Sequence, residues 1–256
     1  MSQAADRTVP HTGTVTLATS TTDRGRRGSC GGVLATLLVV GAVIVGTVAV
    51  SPDLQLSDLR DAAVDPLHGE PGSGGDGYTF LQTTARGAPL TWPCEETIEI
   101  VVNPQDAPEG YADMVDSAVA RLSEASGFDL EVVGETDDRD FADRGFGPVL
   151  LGWADEEEVP ALAGPVAGIG GSSYVQGPGG GGHAVGGMVV VDTEETGGWF
   201  SRTDPEAVLV HELVHVLGLG HTDDPTQLMA ARNDGQSELG EGDLAGLEAL
   251  REAACS

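Results

Sequence analysis

Apolar and polar positions alternate through residues 97–102, Thr-Ile-Glu-Ile-Val-Val, and then turn wholly apolar, as a strand does. Met114, Val115, Ala118, Val119 and Leu122 follow at helical spacing within residues 111–125, and Gly127 ends that helix. Residues 128–133 alternate again, and 149–153 make a short apolar strand. Residues 166–175 are glycine-rich and partly β, and 188–191 form another strand that stops at Asp192. Leu209, Leu213, Val216 and Leu217 then lie on one stripe of a helix, and residues 243–253 make a last one. The predicted order is one strand, one helix, four strands, two helices.

Upstream the pattern differs. Residues 31–50 carry no charge and are rich in Val, Leu, Ala and Gly. As a helix this run spans about 30 Å, the thickness of a bilayer's hydrocarbon core. Arg24, Arg26 and Arg27 precede it, while Asp53 and Asp58 follow, which places the N-terminus in the cytoplasm and the remainder outside. The expected organisation is a disordered cytoplasmic segment 1–28, a transmembrane signal-anchor 29–51, a flexible stalk 52–90 and a folded domain 91–256. The stalk's centre, residues 69–77, is too rich in Gly, Pro and Ser to bury a core. Secretion after cleavage at Thr47-Val48-Ala49 is the alternative; the apolar run exceeds the roughly 7–15 residues of a usual signal peptide.

Charge narrows the partners. The chain has 41 acidic residues against 12 basic ones, all arginine, and a formal net charge of −29. Nucleic acid is excluded as a partner, because its phosphates would be repelled. Export changes the reading of the cysteines. Cys94 and Cys255 bracket the domain and are expected to form a disulfide, two free thiols being the alternative. Cys30 borders the membrane, free or acylated.

The candidate chemistry sits in His211-Glu212-Leu-Val-His215-Val-Leu-Gly218-Leu-Gly-His221. His211 and His215, four apart, share one face of a helix and can share one Zn²⁺. Gly218 lets the chain leave the helix, so that His221 returns as third ligand. Glu212 flanks the pair and can act as general base on a water activated by the metal. Thr203 with Glu206 fits a capping box, and Asp204 with Pro205 offers a start one residue later. Gly177–Gly182 is a loop and not a phosphate cradle, since no helix or Lys follows it. His183 just after it, with His11 and His68, reads as exposed loop histidine. Asp192, Glu194 and Glu195 could hold Ca²⁺, though a plain acidic turn is the better reading.

His211, Glu212, His215, Gly218 and His221 together resemble the extended zinc signature of the metzincin metallopeptidases. Met229, eight residues after His221, resembles the Met-turn beneath the metal in that group; this spacing and Thr222 are most similar to the matrixin branch. Asp243 stands at the position of a buried family carboxylate. The resemblance implies an α+β fold with a twisted, mixed five-stranded sheet, a backing helix, an active-site helix and a C-terminal helix. It also implies one catalytic Zn²⁺, a polypeptide substrate and a substrate-binding sheet edge within residues 163–175. The chain departs from the family in three places. It has no Pro-Arg-Cys-Gly latency segment, Ala230-Ala231-Arg232 stand where matrixins commonly have Tyr-Pro, and no calcium-ligand run is recognisable. The expected function is zinc-dependent hydrolysis of extracellular polypeptides. A membrane-anchored binding module with a vestigial or structural zinc site and a non-peptidase zinc hydrolase are the rival readings.

Overall fold

A computed structural model describes residues 74–142, 144–176, 181–193, 204–232 and 235–256. The expected anchor, Cys30, His11, His68, Thr203, Glu194 and Glu195 lie outside the described residues. Among the described residues, no helix is long and apolar enough to cross a membrane.

The elements run β1 (Thr79–Phe80), β2 (Thr97–Val102), α1 (Tyr111–Ser126), β3 (Asp129–Glu135), β4 (Val149–Ala154), β5 (Gly168–Gln176), β6 (Gly182–Asp192), α2 (Pro205–Leu217), β7 (Leu219–Gly220) and α3 (Glu241–Ala254). The fold is α+β, as expected. Five strands form one mixed sheet in the order β3-β2-β4-β6-β5. Pairing is parallel from β3 through β6, and only the edge strand β5 runs antiparallel to its neighbour β6.

Both faces of this sheet are covered, which is why β4 reads as a continuous apolar run and is buried at every position. On one face Ile98, Ile100, Val149, Leu151, Trp153, Val189 and Val191 meet the apolar stripes of the helices in the main core. On the other, Leu150, Ala154, Ile169 and Val190 pack with Phe141 and Leu162 in a smaller core. The period-2 alternation along β4 and β6 thus serves two cores at once. Helix α1 stops where Gly127 adopts φ 69°, its N–H bonding the Ser123 carbonyl.

Two boundaries differ from the sequence expectation. Strand β6 begins at Gly182, well before the apolar residues that betray it, because Gly186 and Gly187 leave no side-chain signal. His183 therefore lies on a strand rather than in a loop, and it is exposed as expected. The second difference is at the stalk. Residues 74–90 are built into the body: Phe80, Leu81 and Leu90 are buried, and β1 pairs antiparallel with β7. Their burial was hidden by the surrounding Gly, Thr and Ser, so the domain begins upstream of residue 91.

The disulfide between Cys94 and Cys255 is present, with Cα atoms 5.0 Å apart across 161 residues of sequence. It ties the approach to β2 to the end of α3, and Arg251 of α3 stacks over the Phe128 ring beside it. Closing so long a loop contributes roughly 2–4 kcal/mol.

Candidate metal centre

Helix α2 starts at Asp204, whose side chain accepts from the Glu206 N–H at 3.1 Å, with Pro205 in the first turn. The later of the two expected starts is the one used. Leu209, Leu213, Val216 and Leu217 are fully buried, as the stripe predicts. The rest of the helix is less open than an amphipathic pattern suggests: Glu212 is 6% and His215 2% exposed. The cause is strand β5, whose glycines let its backbone lie on the helix. A Cβ on Gly170 would stand 2.2 Å from the Glu212 carbonyl oxygen, and one on Gly168 would stand 2.9 Å from the Glu212 Cγ.

The helix's C-terminal carbonyls are all claimed by neighbours. Trp92 Nε1 donates to the Val216 carbonyl at 2.8 Å, Ser172 Oγ to the same carbonyl at 2.6 Å, and Thr91 Oγ1 to that of Leu217 at 2.8 Å. Gly218 then turns the chain at φ 121°, its N–H reaching Val214 and His215. A Cβ there would stand 2.7 Å from the Leu90 carbonyl oxygen. Glycine is thus required at Gly218 by conformation and by space, which supports its expected role.

Beyond the turn the three histidines converge. His221 Nε2 lies 3.2 Å from His211 Nε2 and 3.2 Å from His215 Nε2. Nitrogens about 2.0–2.1 Å from one tetrahedral Zn²⁺ stand about 3.3 Å apart, so the donor set fits the ion. The outer nitrogens fix the rings: His211 Nδ1 lies 2.8 Å from the Leu228 carbonyl and His215 Nδ1 2.7 Å from that of Leu219. Each Nδ1–H donating to a carbonyl leaves Nε2 with its lone pair for the metal. Among the described residues this triad is the one group of His, Cys, Asp or Glu placed to hold an ion. His183 and Asp192 are not part of such a group.

Glu212 shares the helix turn with His211. Burial pushes its carboxyl up to about 8, against the pull of the Gly170 amide that donates to it. A divalent cation beside it acts in the opposite direction and favours the carboxylate.

Met229 is 1% exposed, and the turn around it is held from two sides. Thr222, following His221, donates its N–H to the Met229 carbonyl at 2.9 Å. Asp243, fully buried, accepts from the Leu228 N–H at 2.7 Å, the Met229 N–H at 3.3 Å and the Gly240 N–H at 2.8 Å. Gln227 returns the contact, its Oε1 accepting from Gly242 at 2.8 Å and Asp243 at 3.2 Å in the first turn of α3. The sequence singles out Met229 and Asp243 but misses Gln227, Gly170, Ser172 and Trp92.

Residues 153–251 match the matrixin family model. That segment is matrixin-like. The matched stretch runs from the end of β4 to α3 and holds all three histidines, Glu212, Met229 and Asp243. The match and the three-histidine centre together support a zinc metallopeptidase. No curated protein matches the chain.

Proposed function

We propose that the chain is a zinc-dependent endopeptidase acting on extracellular polypeptides, with Glu212 as general base. The observation that carries this is the convergence of three Nε2 atoms beside the helix turn that bears Glu212, with the His211 and His215 rings oriented by backbone carbonyls. When bound there, Zn²⁺ supplies a Lewis acid that polarises a carbonyl and lowers the pKa of water towards about 7.

The remaining steps belong to the protein. Glu212 takes the proton of the attacking water and passes it to the leaving amine. The Gly170 amide on β5 donates to Glu212 and orients its carboxylate toward the strand. Met229, buried in the turn that Thr222 and Asp243 hold, serves as an apolar floor in this reading and not as a ligand.

Strand β5, Gly168–Gln176, lies at the sheet edge and overlaps most of the expected window 163–175; an extended peptide would pair with its backbone. A cavity of about 480 Å³ runs beside it, lined in part by Gly170, Gly171, Ser172, Phe141 and Met188. None of the histidines lines this cavity; it meets the centre through Gly170, which backs Glu212. Peptide side chains that point away from α2 enter it.

The domain acts outside the cell, carried by residues 31–50 as a signal-anchor, or secreted after cleavage. The Cys94–Cys255 bond supports an oxidising compartment, and the high acidic charge favours basic substrates by steering. No calcium site is assigned.

The test is a broad peptide library incubated with the wild type, the chelated protein and Glu212→Ala. Loss of a positioned general base lowers turnover by about 10²–10⁴-fold while the metal is retained. Wild-type turnover by Glu212→Ala would remove the general-base role. Zinc binding without any cleavage by the wild type would favour a binding module.

A further inference from the structure

His211 and His215 are placed by a helix, but His221 has only a loop. Thr222 ties the far end of this loop to the Met229 turn, and the segment that holds its near side comes from upstream of the matrixin match. Strand β1 pairs with β7, with Thr79 opposite Gly220 and Phe80 opposite Leu219. The Leu81 N–H donates to the Gly218 carbonyl at 2.7 Å. The Thr79 hydroxyl donates to the carbonyl of His221 itself at 2.6 Å. A ladder therefore runs along the whole turn from the end of α2 to the third histidine.

The fit is close on both sides. A Cβ on Gly220 would stand 2.9 Å from Thr79 Oγ1, so glycine admits the strap against the ligand loop. On its other flank the strap touches α3: a Cβ on Gly242 would stand 2.4 Å from the Gly77 carbonyl oxygen, and one on Gly246 would stand 2.9 Å from the Tyr78 ring. The Tyr78 and Phe80 rings pack edge to face at 5.5 Å. The strap is thus wedged between α3 and the loop, and its position fixes that of the loop.

We propose that residues 78–81 are a positioning element for the metal centre, with the Thr79 hydroxyl setting the backbone, and hence the ring, of His221. The inference rests on the three histidines being a zinc site. It assigns a role in metal affinity to a segment that the family match omits and that the sequence pattern places in a stalk. A group that orients a ligand from outside the coordination sphere changes metal affinity by about 10–100-fold when removed. Here the hold is on the ligand's backbone, which places the effect at the lower end of that range, about 10-fold.

The experiment is competition for zinc between the full chain and a chromophoric chelator, for the wild type, Thr79→Val, Thr79→Ala and Thr79→Ser. Thermal unfolding of each metal-free protein is followed alongside. Thr79→Val keeps the shape and loses the donor; Thr79→Ser keeps the donor. The expected result is zinc binding weakened about 10-fold in Thr79→Val and Thr79→Ala, and wild-type affinity in Thr79→Ser. If Thr79→Val fails to fold, Thr79→Ala against Thr79→Ser decides the same question. Wild-type affinity in a folded variant lacking the hydroxyl overturns the proposal, as does equal weakening in Thr79→Ser. Absence of zinc from the wild type as well would overturn the metal site itself, a result distinct from either.

Discussion

The side chains of Asp243 and Gln227 each hold the backbone of the other's turn. Asp243 takes amides from the turn at Leu228 and Met229, and Gln227 takes amides from the turn at Gly242 and Asp243. Since the Leu228 carbonyl in turn orients His211, a carboxylate on α3 reaches a candidate ligand on α2 through one peptide unit. Replacing Asp243 by Ala leaves buried N–H groups without an acceptor. We expect a loss of about 3 kcal/mol or more in chemical denaturation. An unchanged unfolding midpoint would mean that those amides find another acceptor. Much of this residue-level architecture was legible in the sequence where the contacts are local. His211, Glu212 and His215 lie on one helix, so their spacing is their geometry. Gln227 and Thr79 were not legible: an amide 15 residues from its partner and a hydroxyl 142 residues from its partner leave no periodic trace.

At the scale of elements, strand β5 decides how open helix α2 is. Amphipathic patterning predicts one buried and one open face for α2. The structure buries Glu212 as well, because the glycines at 168 and 170 bring a strand backbone onto the helix. A glycine-rich strand is the local sign of such an approach, but it does not name the partner. The two neighbouring glycines give a matched test. A methyl on Gly170 would stand 2.2 Å from the Glu212 carbonyl oxygen, whereas one on Gly171 meets nothing within 4 Å. Gly170→Ala is expected to cost about 1–3 kcal/mol in thermal unfolding and to lower peptide turnover by moving Glu212, while Gly171→Ala leaves stability near that of the wild type. Equal stabilities for the two variants would refute the close packing of β5 on α2.

On the scale of the whole molecule, periodicity predicted the five sheet strands and three helices in their order but missed the short strands β1 and β7, and the α+β class was implied by the family resemblance. Chain pairing was not legible: no pattern states that β5 alone runs antiparallel within the five-stranded sheet, or that residues 79–80 pair with the turn after α2. The upstream segment matters for production of the domain. A fragment starting at 91 loses the burial of Phe80, Leu81 and Leu90 and the β1–β7 pairing. Removing large apolar side chains from a core costs about 2–5 kcal/mol each. The fragment 91–256 is therefore expected to melt well below 74–256, and coincident melting curves would return the boundary to 91. Metal analysis of the purified full chain tests the central claim most directly. The account predicts one zinc per chain, removed by chelation and absent from His221→Ala; a chain that holds no zinc after refolding with it would contradict the account.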